Sequence, residues 1–127
     1  MARVLIMEDE PNIAFVLKIA MSEEGHEVKT CQDGLSGLQQ LEKGPIPDIV
    51  LVDLCMPRVS GRTVVESMHK NQRFKEIPVV IISGSIPDSR NFPPANSYRT
   101  LISKPFDLFK VLETVNELTK PQCLAVS

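Results

Sequence analysis

The run Ile49-Val50-Leu51-Val52, closed by Asp53, constrains the fold more than any other stretch of the chain. Four consecutive aliphatic residues, three of them β-branched, leave no polar face. A strand of that kind is buried on both sides, as in a parallel sheet sandwiched between helices. Pro57 and Gly61 then turn the chain out toward a helix. Asp53 thus falls at the carboxyl end of a buried parallel strand, where open α/β sheets place their ligands. Alone, an aspartate there reads better as a cap for the next turn. Its weight comes from the rest of the chain.

That rest alternates strand with helix. Arg3-Val4-Leu5-Ile6-Met7 reads as the first strand and runs into Glu8-Asp9. Pro11 suits a first helical turn, whose N–H groups have no intrahelical partner. Ile13, Val16, Leu17 and Ala20 follow at helical spacing, with Phe15 and Ile19 off that stripe, and Gly25 ends the segment. Glu27-Val28-Lys29-Thr30 alternates as an edge strand does. After Asp33-Gly34 a helix carries Leu35, Leu38 and Leu41, stops at Gly44-Pro45, and leads into the central strand. A third helix is expected from the cap residue Ser60, through Val64, Val65 and Met68. Val79-Val80-Ile81-Ile82 is a second continuously apolar strand, ending in Ser83-Gly84-Ser85. Over residues 86–100 the periodicity fails, and Pro87, Pro93 and Pro94 allow only a short, irregular helix. Thr100-Leu101-Ile102-Ser103 is a brief fifth strand before Lys104-Pro105. Leu108, Val111, Leu112, Val115 and Leu118 then form the cleanest amphipathic helix, with Asp107 as its cap.

The expected architecture is α/β: a five-stranded parallel sheet of order 2-1-3-4-5 with helices on both faces, a flavodoxin-like three-layer sandwich. Residues 1–120 form one domain and residues 121–127 a loose tail. At 127 residues there is room for a single core. A net charge of -2 without a Lys/Arg stripe argues against direct nucleic-acid binding. The short apolar runs argue against a membrane span or signal peptide. Three cysteines (Cys31, Cys55, Cys123) without zinc-type spacing point to reduced thiols in the cytoplasm.

Chemistry gathers at the strand ends. Glu8 and Asp9 end the first strand, Asp53 the third, Ser83 the fourth and Lys104 the fifth. In the 2-1-3-4-5 order, three carboxylates, a hydroxyl and an ammonium converge on one end of the sheet. Two carboxylates about 4 Å apart repel by roughly 4 kcal/mol at an effective dielectric of 20, so such a cluster calls for a cation. A small hard divalent ion is the usual partner where phosphate also binds.

With these residues in hand, the chain resembles a response-regulator receiver domain, from about residue 3 to residue 119. The residues that carry the resemblance are Glu8-Asp9, Asp53, Met56-Pro57 with Gly61, Ser83, and Lys104-Pro105-Phe106. It implies that Asp53 accepts a phosphoryl group from phosphohistidine, with Ser83 and Lys104 contacting it. It also implies a Mg²⁺ held by Asp9, Asp53 and the backbone carbonyl of Cys55, with Glu8 acting mainly through water. The implied partners are a sensor histidine kinase or phosphotransfer protein and a downstream protein target, with a homodimer also open. Such a protein is a signalling switch, catalysing only its own phosphorylation and dephosphorylation, and the chain's end after the last helix suggests a stand-alone receiver. Cys55 and Ser85, flanking the implied path of the attacking water, suggest a slow to intermediate loss of phosphate. Phe15, Ile19 and Phe106 are the expected kinase-facing residues.

The chain departs from the family pattern in three places. Leu101 stands where the switch aromatic is usual, Ser97-Tyr98 replaces a small pair, and the proline-rich segment takes the place of most of the fourth helix. Phe92 or Tyr98 is the candidate substitute aromatic. Two other readings remain: a degenerate receiver that binds a partner without being phosphorylated, and a small aspartyl-phosphate phosphatase. The second lacks its Asp-x-Asp spacing in Glu8-Asp9-Glu10. His26, His69, Cys31, Cys123, Met7, Met56 and Met68 read as structural.

Overall fold

Five strands pair in parallel in the order β2-β1-β3-β4-β5 in the computed structural model, which describes residues 2–84 and 92–120. In chain order they are β1 (Arg3–Met7), β2 (Glu27–Cys31), β3 (Ile49–Val52), β4 (Val79–Ser83) and β5 (Thr100–Ser103). The helices are α1 (Pro11–Glu23), α2 (Gly34–Lys43), α3 (Gly61–Lys70) and α4 (Leu108–Leu118). Every residue of β3 and β4 is buried, as their unbroken apolar runs require. β2 and β5 lie at the edges and are only partly covered.

The pleat divides the core into two layers. Leu5, Met7, Val50, Val52, Val79 and Ile81 face Leu41 of α2 and Val64, Val65 and Met68 of α3. Val4, Ile6, Ile49, Leu51, Val80 and Ile82 face Leu17 and Met21 of α1 and Val111 and Val115 of α4. Side chains start three of the helices: Asp33 accepts from Ser36 N–H, Ser60 from Thr63 N–H and Asp107 from Phe109 N–H. The helix α1 has no such cap and begins with Pro11.

Three details depart from the sequence expectation. Val16 was expected on the buried stripe of α1 but is 46% exposed; Leu17 and Met21 are the buried residues. Adjacent positions on a helix lie about 100° apart, so a stripe centred on Leu17 and Met21 turns Val16 outward. Phe106 is half-buried against the α1/α4 layer rather than standing free. Phe109, unremarked beside Leu108 in the sequence, is 80% exposed. Between β4 and β5 the described residues hold one 3₁₀ turn, Ala95–Ser97, in line with the failed periodicity there. Phe92, Tyr98 and Leu101 pack on the α2/α3 layer at that end of the sheet. Ser85, Pro87, Cys123 and the tail 121–127 lie outside the described residues.

At the amino ends of the strands, one imidazole joins distant parts of the chain. The Ala2 N–H donates to His26 Nδ1 at 3.0 Å, which leaves Nε2 to donate to Asn116 Oδ1 at 2.9 Å. Asn116 Nδ2 in turn donates to Glu24 Oε1 at 2.8 Å. His26 is structural.

Candidate functional site

The register of the sheet sets out the site. Met7 pairs with Val52 across β1 and β3, so Glu8 and Asp53 leave the sheet side by side. Ser83 pairs with Ser103, which brings Lys104 up beside the end of β4. Both strand exits are tied down by backbone bonds: Asp53 N–H donates to Met7 O at 2.9 Å, and Lys104 N–H to Ser83 O at 2.9 Å. The five candidates therefore meet at the carboxyl ends of the strands, around the β1/β3 switch point.

Carboxylate oxygens of Glu8, Asp9 and Asp53 lie within 4.8 Å of one another. Glu8 and Asp53 are 3% and 5% exposed, whereas Asp9 is exposed. Lys104 Nζ bridges the buried pair, 3.1 Å from Glu8 Oε1 and 3.1 Å from Asp53 Oδ2. The remaining oxygens also have donors: Cys55 N–H reaches Asp53 Oδ1 at 3.2 Å and Glu10 N–H reaches Glu8 Oε2 at 3.1 Å. Ser83 is buried at the end of β4, Cys55 is exposed, and the peptide bond Lys104-Pro105 is cis.

One ammonium does not balance three carboxylates. Desolvation pushes the Glu8 carboxyl up to about 7; the Asp53 charge adds to this, while the bonds from Glu10 N–H and Lys104 only partly oppose it. Burial pulls Lys104 down, but its bonds to Asp53 and Glu8 outweigh that, and its net shift is upward. An all-oxygen cluster with surplus negative charge fits a small hard divalent cation, which would take ligands from Glu8, Asp9 and Asp53.

The loop after Asp53 is held close to the site. Gly61 N–H donates to Leu54 O at 3.0 Å, and a Cβ on Gly61 would run into the Asp53 carbonyl and the Leu54 Cα. Only glycine fits there. Two residues in this region lie outside the sequence candidates. Arg58 adopts a left-handed conformation, φ 71°, and its Nε lies 3.3 Å from Asp33 Oδ2. Asp33 is legible as a helix cap before Gly34, but nothing local in the sequence signals its pairing with Arg58.

Beside Glu8 a groove of about 230 Å³ runs between α1 and the end of β2, lined in part by Pro11, Ala14, Phe15 and Lys18. Phe15 is 63% exposed, and Val16 and Ile19 are also exposed on α1. Of the expected kinase-facing residues, Phe15 and Ile19 thus stand in solvent, and Phe106 is partly withdrawn into the core.

The sequence model of the family described as response regulator receiver domain matches residues 4–116. The chain is 34% identical over 124 residues to the DNA-binding dual master transcriptional regulator RpaA of Synechocystis sp., a match covering 94% of this chain and 50% of RpaA. It is 29% identical over 117 residues to protein PilH of Pseudomonas aeruginosa, covering 91% of this chain and 96% of PilH. The chain therefore spans half of one relative and nearly all of the other. Among solved structures, the chemotaxis response regulator CheY4 of Vibrio cholerae superposes with a TM-score of 0.83 at 24% identity, covering 93% of this chain and 98% of that one. TrrA of Thermotoga maritima, solved in complex with Mg²⁺-BeF, gives 0.78 at 28% identity, covering 93% and 99%. With its strand order, its strand-end carboxylates and lysine, and this match along nearly its whole length, the chain belongs to the response regulator receiver domain family.

Proposed function

We propose that Asp53 is the phosphoacceptor of this receiver domain and that Glu8, Asp9, Asp53 and the backbone carbonyl of Cys55 hold a Mg²⁺ ion. The observation that carries this reading is the bridging of two buried carboxylates, Glu8 and Asp53, by Lys104, with Asp9 alongside. Burying like charges together weakens a fold unless a ligand uses them. A binding module that is never phosphorylated has no need of such a cluster.

In phosphotransfer a carboxylate oxygen of Asp53 bonds to phosphorus as the P–N bond of a phosphohistidine breaks, and the electron pair stays on the imidazole nitrogen. Lys104, 3.1 Å from Asp53 Oδ2, can follow the charge onto the phosphoryl group. The Ser83 hydroxyl donates to a phosphoryl oxygen once the group is attached. Bound Mg²⁺ supplies compensation for the charge on the transferring oxygens. The chain thereby acts as a signalling switch rather than as an enzyme on a separate substrate. Its phosphodonor is a histidine kinase or phosphotransfer protein, whose helices dock over Phe15 and Ile19 next to the site. A downstream protein reads the phosphorylated state.

The test is incubation with Mg²⁺ and acetyl phosphate, followed by mass mapping of the modification. One phosphoryl group on Asp53, absent from Asp53→Asn and lost on Mg²⁺ removal, is expected. Labelling of Asp53→Asn at the wild-type rate would overturn the assignment.

A further inference from the structure

The segment from Cys31 to Gly34 touches both halves of the acidic site. On one side, Glu8 N–H donates to Cys31 O at 2.9 Å, which anchors the start of the Glu8-Asp9 turn. On the other, Asp33 and Gly34 meet the loop that follows Asp53. A Cβ on Gly34 would collide with the Val59 carbonyl, so the first turn of α2 lies directly against that loop's backbone. Asp33, only 7% exposed, divides its carboxylate between two tasks: Oδ1 accepts from Ser36 N–H at 2.7 Å and Oδ2 faces Arg58 Nε at 3.3 Å.

Arg58 is the one residue other than glycine with positive φ among the described residues. A side chain with a Cβ is strained there, and such a conformation persists where its surroundings impose it. Arg58 lies between Pro57 and Val59, and Val59 N–H closes a tight turn onto Pro57 O at 2.9 Å. Fixing Arg58 therefore fixes the turn through which Asp53 and Cys55 are connected to α3.

The geometry points to Asp33 as a positioning residue for the metal and phosphoryl site: through Arg58 it sets the loop carrying Asp53 and Cys55 in register with the Glu8-Asp9 turn, which the same segment holds. This rests on the phosphoacceptor reading above, and it assigns to Asp33 a role beyond capping α2. The two roles are separable, because asparagine caps a helix as well as aspartate does but carries no charge for Arg58.

The experiment is a double-mutant cycle on Asp33→Asn, Arg58→Gln and the combined variant. Mg²⁺ affinity is read by calorimetry without phosphodonor, and the Mg²⁺ dependence of acetyl-phosphate labelling is read separately. Each single variant is expected to weaken Mg²⁺ binding by about two- to fivefold, the scale of one partly exposed ion pair. The combined variant should be no weaker than the weaker single one. Half-saturation by Mg²⁺ in the labelling assay should move with the affinity, while the rate at saturating Mg²⁺ stays near wild type. Wild-type Mg²⁺ affinity in Asp33→Asn, whatever its melting temperature, reduces Asp33 to a helix cap and overturns the inference, as do fully multiplicative effects. If the wild type binds Mg²⁺ but Asp53 is never labelled, the phosphoacceptor reading fails and the affinity cycle still decides the role of Asp33.

Discussion

Glu8 is held at a pKa of about 7 against an ordinary value of 4.5, chiefly by burial. Without metal, the folded chain between those values keeps a proton at Glu8 that the unfolded chain has released. Stability from this group therefore falls as pH rises through that window, and the loss is complete above about pH 7. The loss is on the order of 1–3 kcal/mol. In EDTA the urea midpoint of the wild type should drop more steeply from pH 5 to pH 8 than that of Glu8→Gln; parallel curves would show that Glu8 is not strained. Gly61 and Gly84 make a second contrast. A Cβ on Gly61 meets backbone at Asp53 and Leu54, whereas one on Gly84 meets only Lys104 Cβ at 3.8 Å. Gly61→Ala should cost about 1–3 kcal/mol and slow acetyl-phosphate labelling, while Gly84→Ala should leave denaturation midpoints unchanged. Equal effects of the two in urea titrations would contradict this. At this scale, the positions of Glu8, Asp9, Asp53, Ser83 and Lys104 could be read directly, because each lies at or just past the end of a strand. Asp33 with Arg58 could not, since their pairing depends on how two loops meet in space.

Among the elements, the strands were the most legible. Ile49–Val52 is buried on both faces, and an uninterrupted apolar run has no other stable placement in a chain of this size. Helix faces were harder to read. The helix α1 carries Ile13, Phe15, Val16, Leu17, Ile19 and Met21, more apolar residues than one buried stripe holds. The sequence therefore shows a surplus without showing which members face out, and Val16 is one that does. Phe109 follows Leu108 in the first turn of α4 and is turned away from the core by the same 100° step. The surplus has a measurable consequence. Phe15→Ala should leave thermal stability within about 0.5 kcal/mol of wild type and acetyl-phosphate labelling unchanged, yet slow phosphotransfer from the proposed histidine kinase donor. Phe74→Ala, at a buried position, should cost about 3–5 kcal/mol. A loss of that size in Phe15→Ala would make Phe15 a core residue and remove the docking role.

For the whole molecule, the sheet separates chemistry from chain closure. Carboxylates and lysine gather at the carboxyl ends of the strands. At the amino ends, His26 holds the backbone of Ala2 on one ring nitrogen and Asn116 on the other. Residues more than a hundred positions apart are thus separated by the width of a single imidazole, and the chain from Ala2 to Asn116 is nearly a ring fastened with a histidine. A ring has no obligatory starting point. A short glycine-serine bridge from Lys120 to Ala2, with new termini opened at the exposed Pro45-Ile46 turn, should therefore give a circular permutant that folds to the same sheet. Its Mg²⁺-dependent labelling of Asp53 should match that of the parent, because both the cut and the graft lie at the end of the sheet away from the carboxylates. Replacing His26 by alanine should cost the permutant less stability than it costs the parent, since the covalent bridge takes over the fastening. Equal losses in urea titrations of the two backgrounds would show that the imidazole does not serve as the clasp.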